Sequence, residues 1–228
     1  MKDIIFTNTS AVKNIPEPKP SSQFIPQWYK DIDSYVTGKK IPNTKGSTSG
    51  TVKRCIPVFD AVTSGYIITS AADVYISLKG ELPWYEWASL DLIEFHPVEQ
   101  APNHPKNTGF SYPKWMNPWS IETPKGYSVL VTQPMHHDLP FTILPGVVDT
   151  DTYHPPINFP FVMNDPDFEG VIPAGTPIAQ IIPFKRESWK MSFGNEKNVK
   201  KQADQAAWVT TRFFDRYKNF FWHKKQYK

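Results

Sequence analysis

Two carboxylates one residue apart, Asp149 and Asp151, close the apolar run Leu144-Pro145-Gly146-Val147-Val148 ahead of Thr152 and Tyr153. Alternate residues of an extended chain share a face, so both acids would stand together at a strand end. Such a pair suits general acid–base work or the activation of a water molecule. It also suits a plainer part, because acids at a strand end bond nearby backbone N–H groups and cap the turn. Downstream, the stretch from Val171 to Ile182 predicts a tight turn at Ala174-Gly175 that leads into a buried strand carrying one amide, Gln180. That amide either meets a ligand or is satisfied by neighbouring backbone. A second cluster, His136-His137-Asp138 with His154, contains a His-x-Asp spacing. Two imidazoles and a carboxylate on one face would hold Fe or Zn, as in a non-haem oxygenase; the alternative is a set of solvated loop histidines.

Other chemistries find no support. The chain has no Gly-x-Ser-x-Gly elbow, no P-loop and no Gly-x-Gly-x-x-Gly turn. A single cysteine, Cys55, excludes an intrachain disulfide and a multi-cysteine zinc site, favours a reducing, cytoplasmic setting, and reads as a small buried hydrophobe. His96 and His104 have no partner at a readable spacing and are expected to be structural. A net charge of +3 is too small to name nucleic acid or membrane as a partner. No stretch approaches the roughly 20 apolar residues of a spanning helix.

The elements that must position these residues are mostly strands. Short β-branched or aromatic runs at 66–69, 73–78, 127–131, 157–162 and 178–182, each bounded by Gly, Pro, Asn or Asp, predict a sandwich or distorted barrel, with β signal from Cys55 to about Pro183. Residues 13–29 interleave prolines with Phe24, Ile25, Trp28 and Tyr29 and read as an extended segment. Residues 38–52 read as a surface loop, and the proline- and aromatic-rich 101–119 as an ordered loop. After about Asn198 the period becomes helical, through Ala206, Val209, Phe213, Tyr217 and Phe220. This basic, aromatic helix could pack on its own domain, or dock on nucleic acid, a membrane surface or a partner protein. The expected division is 1–52 as an extended segment and loop, 53–190 as the core and 191–228 as the helix, within a single domain.

Gly146 to Tyr153 and Gly175 to Gln180, taken with the earlier Asp60-Ala61-Val62-Thr63-Ser64-Gly65-Tyr66, resemble the motifs of dUTPases and dCTP deaminases in order and spacing. The resemblance covers about 60–185 and implies a mainly β, β-clip fold for that stretch, to which the extended N-terminal segment and the C-terminal helix read above are added. It further implies that Asp149 activates the attacking water, with Asp151 beside it, and that Gly65, Tyr66, Tyr153 and Gln180 contact a nucleotide. Mg and a homotrimer would accompany that activity. The stretch from Trp119 to Trp189 also resembles an uncharacterised family of phage and bacterial genomes, which would put the chain in a host cytoplasm.

The chain departs from the dUTPase pattern in several places. Tyr153 lies one residue further from the acid than the family spaces it, and Thr176-Pro177 stands where Asp-Arg is usual. No arginine-serine motif occurs between 66 and 144, and no glycine-rich, arginine-bearing tail follows. Phosphoryl transfer needs cations against the developing charge. The sequence therefore points to binding or assembly without catalysis, with nucleotide hydrolysis through Asp149 as the alternative.

Overall fold

Strand formation follows the β-branched runs. In the computed structural model, which describes residues 2–36, 50–80, 83–87, 91–100, 112–210 and 216–228, Tyr66–Thr69 and Tyr127–Thr132 flank Pro177–Lys185 on either side in antiparallel register. In chain order the strands are β1 (Ile5–Asn8), β2 (Lys19–Pro20), β3 (Tyr66–Thr69), β4 (Val74–Ser77), β5 (Trp84–Trp87), β6 (Ile93–His96) and β7 (Tyr112–Trp115). They continue with β8 (Trp119–Glu122), β9 (Tyr127–Thr132), β10 (Phe141–Ile143), β11 (Gly146–Val148), β12 (Phe159–Met163), β13 (Glu169–Ile172) and β14 (Pro177–Lys185). The helices are α1 (Gln27–Asp31), α2 (Ile56–Thr63) and α3 (Glu196–Thr210).

Among the described residues these strands form open antiparallel sheets in the orders β11-β9-β14-β3-β2, β10-β12-β7-β6, β13-β4-β5 and β1-β8. The chain divides into two units that interleave in sequence. One comprises Met1–Ile25, Val62–Arg186 and Tyr227–Lys228; the other comprises Pro26–Ala61 and Glu187–Gln226. No helix is long and apolar enough to cross a membrane, among the described residues.

The first unit holds the core. β14 buries Ile178, Ala179, Gln180 and Ile181 in succession, as a strand covered on both faces must. Trp115 stacks on Phe161 at 5.1 Å between ring centroids, and Phe141 meets Phe161 edge-on at 5.5 Å. Tyr112–Trp115, expected in a loop, is a strand despite Pro113. The neighbouring β12 pairs only with Lys114 and Trp115, so the missing N–H of Pro113 interrupts no pairing to it. Of the expected ordered loop, residues 101–111 lie outside the described residues, as do residues 38–49 of the expected surface loop.

Ile56–Thr63, inside the span read as β, is helical, and its residues up to Ala61 belong to the second unit. Pro57 sits in its first turn, where a missing N–H costs nothing. Asp60 on α2 accepts from the Trp222 indole at 3.0 Å and pairs with Lys225 at 2.5 Å, while Phe59 meets the Trp222 ring at 6.3 Å. Trp208 of α3 lies edge-on to Phe220 at 5.0 Å, with the Arg216 guanidinium 4.3 Å from its ring centroid. Part of the predicted aromatic helix thus packs on itself. Cys55, expected buried, is exposed.

Candidate functional site

β11 ends at Val148, and the chain turns at once. The Asp149 carbonyl accepts from the N–H groups of Thr152 at 3.1 Å and Tyr153 at 2.9 Å. Thr150 between the acids is fully buried, its hydroxyl 2.7 Å from that of Thr123. Inward burial of Thr150 throws both neighbouring carboxylates to the other side, where they meet a group the sequence reading missed.

That group is Arg186. β14 runs antiparallel to β9, with Lys185 opposite Tyr127, and the Arg186 N–H donates to the Gly126 carbonyl at 2.9 Å. Its guanidinium grips Asp151 with both terminal nitrogens, Nη1 to Oδ1 at 2.7 Å and Nη2 to Oδ2. The Gly126 N–H adds a bond to Asp151 Oδ2 at 2.8 Å. Asp149 Oδ1 lies 3.2 Å from Arg186 Nη1 and accepts from the Ser128 hydroxyl at 2.6 Å. Ser128 in turn accepts from Nη1 at 3.1 Å. A forked guanidinium on a carboxylate is among the stronger charge-assisted arrangements. It holds the Asp151 carboxyl at about 2, with the Gly126 N–H as the second cause, and raises Arg186 in return. The Asp151 side chain is 3 % exposed and that of Asp149 59 %.

These residues do not fit a divalent cation. Mg wants carboxylate oxygens free of other donors, whereas both Asp151 oxygens and one of Asp149 are already taken and a guanidinium sits between the acids.

The other expected site residues are scattered. Gln180, 1 % exposed, accepts from the Met135 N–H at 2.8 Å and donates to the Ser64 carbonyl at 2.6 Å, so its amide ties two loops together. Gly65 has φ +71°, and a Cβ there would lie 2.0 Å from the Ile181 carbonyl oxygen; its type is set by backbone approach. Tyr66 donates to the Lys228 carbonyl at 3.3 Å and contacts the rings of Phe6 and Tyr227; burial, its main influence, raises its pKa. Tyr153 is 48 % exposed. His136 occupies a turn with φ +62°. The backbone carbonyl of His154 accepts from Ser120, and its side chain, like that of Asp138, is exposed. His136, Asp138 and His154 do not come together: among the described residues no three His, Cys, Asp or Glu side chains are grouped as a metal ion requires.

The first unit also has a cleft of about 400 Å³, walled by Ile15, Ile68, Leu92, Trp115, Trp119 and Ile178, with Val12 and Asp91 among its lining residues. None of the expected site residues lines it. Arg186 could be found from sequence only through the register of β14 on β9, which places the residue after Lys185 beside the loop before Tyr127.

No protein-family model matches the chain, and no curated protein matches it either. Solved structures align with the chain at low similarity, two phage dUTPases among them. One is a mutant dUTPase from phage phi11 of S. aureus, described with a structural Mg(II) ion; it is 13 % identical, covers 85 % of this chain and 97 % of its own, and gives a TM-score of 0.38. The other is a mutant dUTPase of Staphylococcus bacteriophage 80alpha with dUpNHpp, 13 % identical over 86 % of this chain and 90 % of its own, with a TM-score of 0.39. The fold itself is mainly β, in antiparallel sheets, with a helix towards the C-terminus. At this identity the likeness assigns no residue a role.

Proposed function

We propose that this chain is a divergent dUTPase-like protein that works by binding and assembly and does not hydrolyse a nucleotide at Asp149. The observation that supports this most is the Arg186 fork. The cation that a phosphate would need is committed to Asp151, and Asp149 Oδ1 accepts from Ser128 and lies against Arg186. Gln180, the amide that would read a base, is engaged with backbone on both of its polar atoms. Self-association is the form of assembly we favour, with the trimer implied by the motif resemblance as its expected size.

One observation favours the second reading, nucleotide-directed hydrolysis: Asp149 is 59 % exposed with a guanidinium 3.2 Å away. Incubation with dUTP or dCTP and Mg²⁺, followed by pyrophosphate release, separates the two. We expect no release above buffer. Turnover that disappears in Asp149→Asn would overturn the binding-and-assembly reading.

A further inference from the structure

Beyond Arg186 the chain leaves β14 as an arm, residues 187–195, that leads without helical or strand hydrogen bonding into α3. Trp189 and Phe193 are 87 % and 90 % exposed, and every residue from Phe184 to Trp208 is exposed. Neither ring has a packing duty. Lys190 lies between them, and Lys197, Lys200 and Lys201 follow on α3. Lys200 and Lys201 stand three and four residues after Lys197, so the three ammonium groups share one side of the helix, where like charges repel. Among the described residues none of these four lysines is in an ion pair. The Asn195 side chain accepts from the N–H groups of Lys197 at 3.1 Å and Asn198 at 3.3 Å, so the surplus charge belongs to the lysine side chains and not to an open helix end. Charge is segregated on the scale of the units as well. The unit that comprises Pro26–Ala61 and Glu187–Gln226 holds fifteen Lys and Arg against seven Asp and Glu, whereas the other holds ten against fifteen. One unit attracts a polyanion and the other repels it.

We propose that the arm and α3 form a binding surface for single-stranded nucleic acid, with the lysines on its phosphates and the rings of Trp189 and Phe193 stacked on unpaired bases. Cations that track a backbone and aromatic rings on which successive bases stack are the two parts that such a surface needs, and here they interleave along one short stretch of chain. A duplex offers the phosphates but keeps its bases stacked on one another, which would leave both rings in water. A membrane surface would call for a broad apolar helix face opposite the lysines. That side of α3 carries Val199, Ala203 and Ala206, which are too small to anchor it in lipid. The surface shares no residue with the turn at Asp149, so strand binding and nucleotide turnover can each be present without the other.

Fluorescence anisotropy of a labelled oligothymidylate, and of the oligouridylate of the same length, tests this on the intact chain. Binding of either supports the proposal, and the tighter of the two tells DNA from RNA. Between ~0.05 and ~0.2 M NaCl the affinity should fall about 50-fold, as counterion release by four lysines on a single strand requires. Lys197→Gln/Lys200→Gln/Lys201→Gln alters only exposed side chains, should keep the circular dichroism of the parent, and should reduce that fall to about threefold. Trp189→Ser/Phe193→Ser should weaken binding about tenfold or more and leave the salt dependence as it was. No binding at the lower salt, an unchanged salt dependence in the lysine variant, or an unchanged affinity in the aromatic variant would overturn the proposal. So would a duplex bound as tightly as the single strand, displacement of the labelled strand by dUTP or polyglutamate as readily as by unlabelled strand, or tighter binding to phosphatidylserine vesicles than to either oligonucleotide.

Discussion

The turn after β11 and the arm after β14 make opposite use of reactive or adhesive residues. At the turn, an acid pair with the spacing of a catalytic motif is tied to its own fold: both oxygens of Asp151 by Arg186 and Gly126, and Oδ1 of Asp149 by Ser128 and Arg186. In the arm, one residue beyond Arg186 and onward, three large apolar side chains are left in water. Residue type alone would rank the two the other way, with chemistry at the acids and nothing at the arm. What separates them is satisfaction. A group whose hydrogen bonds and charge are already met inside the chain has little left to offer a ligand, while exposed apolar surface has everything to gain from a partner.

Substitutions can break that contrast, beginning where the effect is largest. Ile181, fully buried at the centre of β14, should lose about 2–5 kcal/mol on truncation to Ala, measured by urea unfolding. Gly65→Ala, which forces a Cβ against the Ile181 carbonyl oxygen, should cost ~1–3 kcal/mol in the same assay. Trp189→Ser, a larger change in volume than either, should stay within ~0.5 kcal/mol, because the side chain is 87 % exposed. A destabilisation as large as that of Ile181→Ala would mean that the arm packs on its own chain.

Proton linkage gives a smaller effect with a fixed sign. The Asp151 carboxyl sits at about 2 in the fold against an ordinary 3.8, so the folded state favours its ionised form. The stability this contributes is present above the ordinary value and lost as pH falls through about 2. Asp151→Asn should flatten unfolding midpoints across that window. His137 is lowered chiefly by burial, so its neutral form is favoured and stability falls as pH drops below the ordinary histidine value of 6.5; His137→Gln should remove that part of the slope.

Much of the fold was legible because burial enforces pattern. The Tyr66-to-Thr69 and Tyr127-to-Val131 runs are strands where the sequence places them, and Gly175 adopts φ +81° at the predicted turn before β14. Ile178, Ile181 and Phe161 share the core as their types suggest, and Val148 packs partly against it. Val147, apolar like them, is 63 % exposed: among the described residues its strand β11 pairs only with β9. Where side chains serve two secondary structures, local pattern misleads. Ile56, Val58 and Val62 look like a strand and form α2, and the prolines around Tyr112 conceal β7. The partner of the acid pair was illegible for a different reason. Arg186 is 35 residues from Asp151, and only the antiparallel return of β14 brings them together.

The claim that the acid pair holds the fold is tested most directly by a double-mutant cycle on Asp151 and Arg186, with urea midpoints measured for Asp151→Asn, Arg186→Gln and the double variant. Each single change strands a partner, so both should lower the midpoint, and the double variant should unfold no earlier than the worse single one. Midpoints of both single variants equal to that of the parent would contradict the account, since they would leave the acids and the arginine free of structural duty.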